Sequence, residues 1–315
     1  MPKGSGASSG SASADTNSLV HPRRMDNLQN FLTLEAATGL PIVFFVAAVA
    51  CVGAIIGSFL NVVIHRVPRE ESIAFPASHC PSCGTAIRPY DNIPVVSWAV
   101  LRGRCRSCRA PISARYPAVE LLTAILFALT FWLHSGLTLS LPFDLAFVAA
   151  LVALAFIDAE HMILPNAITY PGLALALVAR VAEPNLYGVA SFGASHPALP
   201  AWLLSLGGAI LGALVGGGFL WLVGWLWERL RGVEAMGLGD VKMMFMVGAY
   251  LGWPLTLLTI FVGVLAGSIA GVAVMLRRGD RDMQLLLPFG IFLSAGALVS
   301  LLFGAAIIDW YVAKF

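Results

Sequence analysis

Charge is what this sequence has least of. Asp, Glu, Lys and Arg make up 11% of its 315 residues, against about a quarter in soluble proteins, and so little polar surface cannot cover a water-exposed globule. The formal net charge of +2 is too small for the basic face or stripe that nucleic-acid binding requires. No Gly-rich Rossmann fingerprint is present. Cysteine is scarce as well, with 5 residues in all. What is abundant is apolar: 58% of the residues are hydrophobic and the mean hydropathy is +0.84. The 31 Gly and 18 Pro are dispersed through apolar segments, as membrane helices tolerate, and form no low-complexity or collagen-like tract. The chain is a membrane protein.

Residues 1–35 read as a disordered tail. Gly4 to Ser13 is almost wholly Gly, Ser and Ala, too poor in apolar groups to offset its ordering entropy. Arg23-Arg24 precede a polar stretch rather than an apolar one, so the segment is no signal peptide; a cloning leftover, a misassigned start and a functional arm stay open. Eight apolar segments follow, uneven in length: Leu40–Val63, Val119–Leu133, Leu139–Ile157, Ile163–Val181, Trp202–Trp227, Val241–Leu251, Leu255–Leu276 and Leu285–Ile308; Val241–Leu251 is short, but a helix packed inside a bundle need not be long enough for lipid. The expected fold is an all-α polytopic membrane protein of about eight transmembrane helices. Orientation follows from Arg. The loop between His65 and Pro117 holds eight arginines, whereas Ala182–Ala201 holds neither Lys nor Arg. The positive-inside rule therefore puts the first loop in the cytoplasm and both termini outside.

That loop contains Cys80-Pro-Ser-Cys83-Gly84 and Cys105-Arg-Ser-Cys108. Two C-x-x-C pairs set four thiolates around one tetrahedral ion, and the chain between the pairs is long enough to return. Disulfides are disfavoured in a reducing cytosol, and a redox dithiol needs no second copy. Structural zinc held by Cys80, Cys83, Cys105 and Cys108 is the expectation. The loop is short of core-forming residues, so the metal would supply much of its folding energy. Cys51, alone in the first span, reads as a small packing residue.

Ionisable groups at span ends are informative because they are costly. Asp158 closes the third span in Ile157-Asp158-Ala159-Glu160-His161, and Asp240 opens the sixth in Gly237-Leu238-Gly239-Asp240-Val241-Lys242. Counted from an outside N-terminus, both lie at the cytoplasmic surface. Two carboxylates at one level suggest a dyad sharing a proton, one activating water and the other protonating the leaving group. Asp240 reads equally well as an N-cap. Asp158 does not, because a carboxylate at a helix C-terminus opposes the dipole. Gly237 and Gly239 would permit a tight bend and close approach by substrate. Lys242 either tunes the dyad's protonation or snorkels to the surface.

Gly-x-Gly-Asp at 237–240, with Asp158 in Asp-x-Glu-His-x-x-Leu-Pro, resembles the bifunctional type IV prepilin peptidases. The segments Gly57–Arg66, Arg88–Pro94, Arg102–Cys105 and Pro111–Pro117 and the paired cysteines carry the resemblance from about Gly39 onward. It implies an inner-membrane aspartic endopeptidase of bacteria that removes the leader of type IV prepilins or type II secretion pseudopilins. It also implies N-methylation of the new N-terminus with S-adenosylmethionine, associated with an N-terminal region 36–135, ahead of a peptidase domain 136–315. Membrane lipid and the pilus or secretion machinery are the other implied partners. Ser58, Asn61 and His65 fall on one helical face, lining a methyl-transfer groove or merely satisfying one another. Gly103 precedes the Arg104-Cys105 turn, where a side chain would obstruct close packing. Gly208, Gly212 and Gly216 form a small-residue stripe for helix contact, and Trp202, Trp221, Trp225 and Trp227 read as interfacial anchors. A presenilin-type protease would leave the cysteine loop without a role. A transporter should show an internal repeat of its spans, and none is visible.

Overall fold

The computed structural model describes residues 22–134, 136–184, 200–232, 237–278 and 288–314. They form α1 (Pro22–Thr38), α2 (Ile42–Arg66), the short α3 (Val96–Val100), α4 (Arg115–Leu133), α5 (Leu141–His161), α6 (Asn166–Ala182), α7 (Ala201–Ala213), α8 (Phe219–Arg231), α9 (Leu238–Leu251), α10 (Trp253–Arg278) and α11 (Phe289–Val312). The described residues hold no strand beyond two isolated bridges. A π-helical stretch at Leu214–Gly218 joins α7 to α8 in one span.

Among the described residues, six helices are long and apolar enough to cross a membrane, by length and composition. The other two expected spans are shorter helices: α6 has 17 residues and α9, the segment already short in the sequence, has 14. The reason is packing. In α9 nearly every residue from Val241 to Leu251 is buried, and a helix sheathed by other helices need not match the thickness of lipid. Close approach to α9 depends on missing side chains. A Cβ on Gly212 would stand 2.1 Å from the Gly248 carbonyl oxygen, and one on Gly216 would stand 2.5 Å from that of Met244. Gly208 meets nothing within 4 Å, so the stripe works at two of its three positions. Gly53 and Gly57 bring α2 just as close to α4.

The expected tail also needs correction. From Pro22 on the chain is helical, and Phe31 is buried against Phe131 and Trp132, at 5.9 and 5.3 Å between ring centroids. The Glu35 carboxylate accepts the Ile42 N–H at 2.5 Å, at the start of α2, where Pro41 offers no cap of its own. An apolar anchor and a cap thus order the part of the segment nearest the bundle. The Gly/Ser-rich stretch lies outside the described residues, as do residues 185–199 of the Arg-free loop. Cys51 is exposed on α2 rather than packed. All four tryptophans of the α7–α8 span are exposed.

Candidate active site and metal loop

The loop between α2 and α4 repeats one small fold twice. Cys80 N–H donates to the Thr85 carbonyl, Gly84 N–H to Cys80 and Ile87 N–H to Ser78; 25 positions on, Cys105 N–H donates to Ala110, Arg109 N–H to Cys105 and Ile112 N–H to Gly103. Gly84 and Arg109, each following its second cysteine, are both left-handed, at φ +68° and +62°. These two knuckles bring all four sulfurs within 4.8 Å of one another, and Cys80 Sγ lies 3.8 Å from Cys108 Sγ. The edge of a tetrahedron with Zn–S bonds of about 2.3 Å is about 3.8 Å, so the donor set fits zinc. All four thiols are free. Hydrogen bonding with the hydroxyl and backbone of Thr85 pulls the Cys83 thiol down to about 6. Ala110's backbone favours the Cys108 thiolate, but desolvation and the neighbouring thiols push that thiol up to about 11.

Side chains not singled out by the sequence fix the loop to the bundle. Buried Arg66, at the end of α2, donates to the carbonyls of Ser72 and Pro76 at 2.9 and 2.7 Å. Glu120 of α4 accepts the Val95 N–H at 2.6 Å, where Val95 itself is left-handed. Arg106 grips Asp91 with both carboxylate oxygens engaged. Gly103 has φ +65°, and a Cβ there would meet the Trp98 ring at 3.0 Å. That indole is itself pinned by its N–H to the Ile112 carbonyl at 3.1 Å. The expected obstruction at Gly103 is thus physical.

No hydrogen bond joins Asn61 to His65 among the described residues. Asn61 is buried and donates to the carbonyls of Gly57 and Tyr116, leaving Oδ1 without a partner among the described residues, whereas His65 is exposed at the end of α2. Ser58 lines a different space, a cleft of about 380 Å³ between α2 and the loop, with Arg66, Ser78 and Asn92.

Asp158 and Asp240 converge. Both line a cleft of about 350 Å³ with Leu164, Asn166, Gly237, Gly239 and Lys242. Asp158 sits in the last turn of α5, and the chain reverses immediately after it at Met162, φ +53°. Asp240 sits in the first turn of α9. The two glycines of the motif behave differently. A Cβ on Gly239 would press Leu164 at 3.0 Å, whereas Gly237 is extended and bends nothing, and its open surface faces the cleft. Lys242 donates to Asn166 Oδ1 at 3.0 Å and lies over the Tyr170 ring, so it is held on the α6 side of the cleft. Glu160 pairs with Arg115 at 2.5 Å, which ties the start of α4, and with it the metal loop, to the end of α5 that carries Asp158.

Sequence reasoning missed one contact to the dyad. Ile291 N–H, in the first turn of α11, donates to Asp158 Oδ2 at 3.0 Å, and a Cβ on Gly290 would lie 2.9 Å from the same oxygen. The available signal was Pro288-Phe289-Gly290 at the start of the last apolar run.

The profile of the bacterial peptidase A24 N-terminal domain matches residues 51–134, and that of the type IV leader peptidase family matches residues 145–272. The chain is 38% identical over 309 residues to a prepilin leader peptidase/N-methyltransferase of Aeromonas hydrophila, covering 90% of this chain and 99% of the relative. It is 36% identical over 291 residues to that of Pseudomonas aeruginosa, covering 85% and 93%. It is 36% identical over 298 residues to that of Burkholderia pseudomallei, covering 86% and 89%. No solved structure matches the chain.

Proposed function

The chain belongs to the type IV leader peptidase family, and from that premise we propose that it is a multi-pass aspartic endopeptidase that cleaves the leader from prepilins or pseudopilins and then N-methylates the exposed amino terminus. The observation that carries the peptidase half is the convergence of Asp158 and Asp240 on one cleft, at the end of the bundle that bears the cysteine loop. Two carboxyls that share one proton supply both the base for water and the acid for the peptide. Gly237 leaves its side of the cleft open for an extended substrate, and Gly239 lets α9 sit against Leu164. Lys242, held by Asn166, supports the same wall.

Methyl transfer is assigned to the N-terminal region 36–135 and cleavage to 136–315. The methyl donor is S-adenosylmethionine. The cleft beside Ser58 and Arg66 supports that reading, being of ligand-holding size and offering a guanidinium for the donor's carboxylate. Zinc on Cys80, Cys83, Cys105 and Cys108 closes the two knuckles and contributes folding energy, with no part in bond cleavage. The Arg asymmetry favours an inner-membrane orientation with the loop and dyad cytoplasmic and both termini periplasmic. Association with pilus or secretion machinery follows from the substrate, and lipid surrounds the exposed helix faces.

Incubation of the detergent-solubilised protein with a prepilin, followed by mass of the mature N-terminus, tests both halves. Loss of the leader with addition of a methyl group is the expected product; an intact prepilin under conditions where a related peptidase cleaves it would remove the reading. The Gly103→Lys variant separates the two reactions. A side chain driven into Trp98 should leave leader removal within a few-fold of wild type and suppress methylation, whereas parallel loss of both would make the loop a shared support.

A further inference from the structure

The dyad is asymmetric in its surroundings. Asp240, in the first turn of α9, accepts no hydrogen bond from any described residue. Asp158 stands at the C-terminal end of α5, the dipole end that disfavours a carboxylate, yet its Oδ2 accepts the Ile291 N–H from the first turn of α11. Helix α11 has no cap of its own, because its N-cap residue is Pro288. Asp158 therefore performs across the interface what an N-cap side chain does locally: it takes an N–H that the helix cannot satisfy and sits at the positive end of the α11 dipole. Both effects favour the ionised form. Gly290 makes this geometry possible, since a Cβ there would lie 2.9 Å from Oδ2 and 3.1 Å from Leu164 Cδ1.

We infer that Gly290 and Ile291, at the N-terminus of α11, are positioning residues of the peptidase: they hold Asp158 as the carboxylate of the dyad, which makes Asp158 the base and Asp240 the acid. This rests on the peptidase reading above. In the step that follows, Asp158 takes a proton from water as the water oxygen bonds to the scissile carbonyl carbon, and the proton of Asp240 passes to the carbonyl oxygen. The gem-diol then returns a hydroxyl proton to Asp240 as the C–N bond breaks, and the proton on Asp158 goes to the departing amine. Water is consumed and the dyad ends as it began. The other titratable and charged groups around Asp158 are Glu160 and His161 of its own helix, Arg115 of α4 paired to Glu160, and Lys242 of α9 held on Asn166. None of these donates to the Asp158 carboxylate.

The test is the pH profile of kcat/KM for prepilin cleavage by the full-length protein. Ile291→Pro removes the donated N–H at a position in the first helical turn, where no intrahelical bond is lost and proline is tolerated. Gly290→Ala instead displaces the carboxylate. Gly304→Ala, which disturbs packing of the same helix against Leu255, controls for general loosening of α11. Losing a hydrogen bond to a charged group should move the acid limb of the profile up by about one pH unit, with the basic limb unmoved and the control superimposable on wild type. Folding is checked by size exclusion and thermal unfolding in detergent; should Ile291→Pro not fold, Gly290→Ala carries the test. A folded variant with the wild-type acid limb overturns the inference. So does movement of the basic limb alone, which would make Asp240 the base. A wild-type protein that cleaves no prepilin would instead strike the peptidase reading itself.

Discussion

Helix α5 carries a buried aspartate at each end, and their surroundings differ in kind. Asp144 is fully buried: Oδ1 accepts the Tyr250 hydroxyl at 2.6 Å and Oδ2 meets His134 Nδ1 at 3.2 Å, while His134 Nε2 reaches the Leu301 carbonyl at 3.1 Å. Nearby, Arg180 donates to the carbonyls of Ala249 and Tyr250, which close the C-terminus of α9. The Tyr250 ring also stacks on Phe147 at 4.1 Å. Asp158 is nearly as buried, at 5% exposure, but among the described residues only one of its oxygens is engaged by a donor, and it lines an open cleft shared with a second carboxylate. A buried carboxylate saturated by protein donors ties helices together. One left partly unsaturated beside a like charge has capacity for water and substrate. Burial alone does not separate the two; the remaining lone pairs do.

The comparison is broken most directly by substitution at both ends. Asp158→Asn and Asp240→Asn should each lower cleavage by about 10²–10⁴-fold without changing thermal unfolding, whereas Asp144→Asn should leave cleavage within a few-fold. Its cost falls on stability instead, about 3 kcal/mol from a broken buried pair. Equal loss of activity from all three would erase the distinction.

Metal removal acts beside one end only. Chelation, or Cys80→Ser, should reduce zinc from one per chain to none and unravel the knuckles, with loss of both activities through the Arg115–Glu160 link and little change in helix content. Thiols must ionise to bind metal. Uptake by the stripped protein should therefore strengthen as pH rises, with the Cys83 thiol, at about 6, already ionised at neutral pH and the Cys108 thiol, pushed up to about 11, still giving up its proton. Zinc affinity that is flat between pH 6 and 9 would argue against thiolate ligation.

Smaller effects sharpen the contrast. Tyr250→Phe removes one donor to Asp144 and should cost about 1–3 kcal/mol in thermal stability with cleavage rates unaltered. Lys242→Met breaks a single contact to Asn166 at the cleft wall and should change cleavage by only a few-fold, seen in KM more than in kcat. A drop as large as that of Asp240→Asn would put Lys242 in the chemistry.

Elements whose evidence is local were legible in the chain. The long apolar runs, the two C-x-x-C pairs and the two aspartates at span ends are patterns of adjacent residues, and their meaning follows from the cost of burying charge and from ligand spacing. Asp144 was not legible, because its partners Tyr250 and His134 lie on other stretches of chain and an acid near a span start looks like any interfacial residue. The face shared by Ser58, Asn61 and His65 was a helical-wheel argument, and packing divided it: α4 claimed Asn61, the loop cleft took Ser58, and His65 was left in the open.

By itself the sequence determined that this is a helical membrane protein with a four-cysteine loop and two acids at one level, because hydrophobic transfer and tetrahedral ligation depend on composition and spacing. Tertiary structure decided the rest: that α9 is sheathed by other helices, that Phe31 orders part of the tail, and that Asp158 caps α11. Each of these depends on which helix meets which, and a hydrogen bond across 133 positions of chain exists only once the helices have packed.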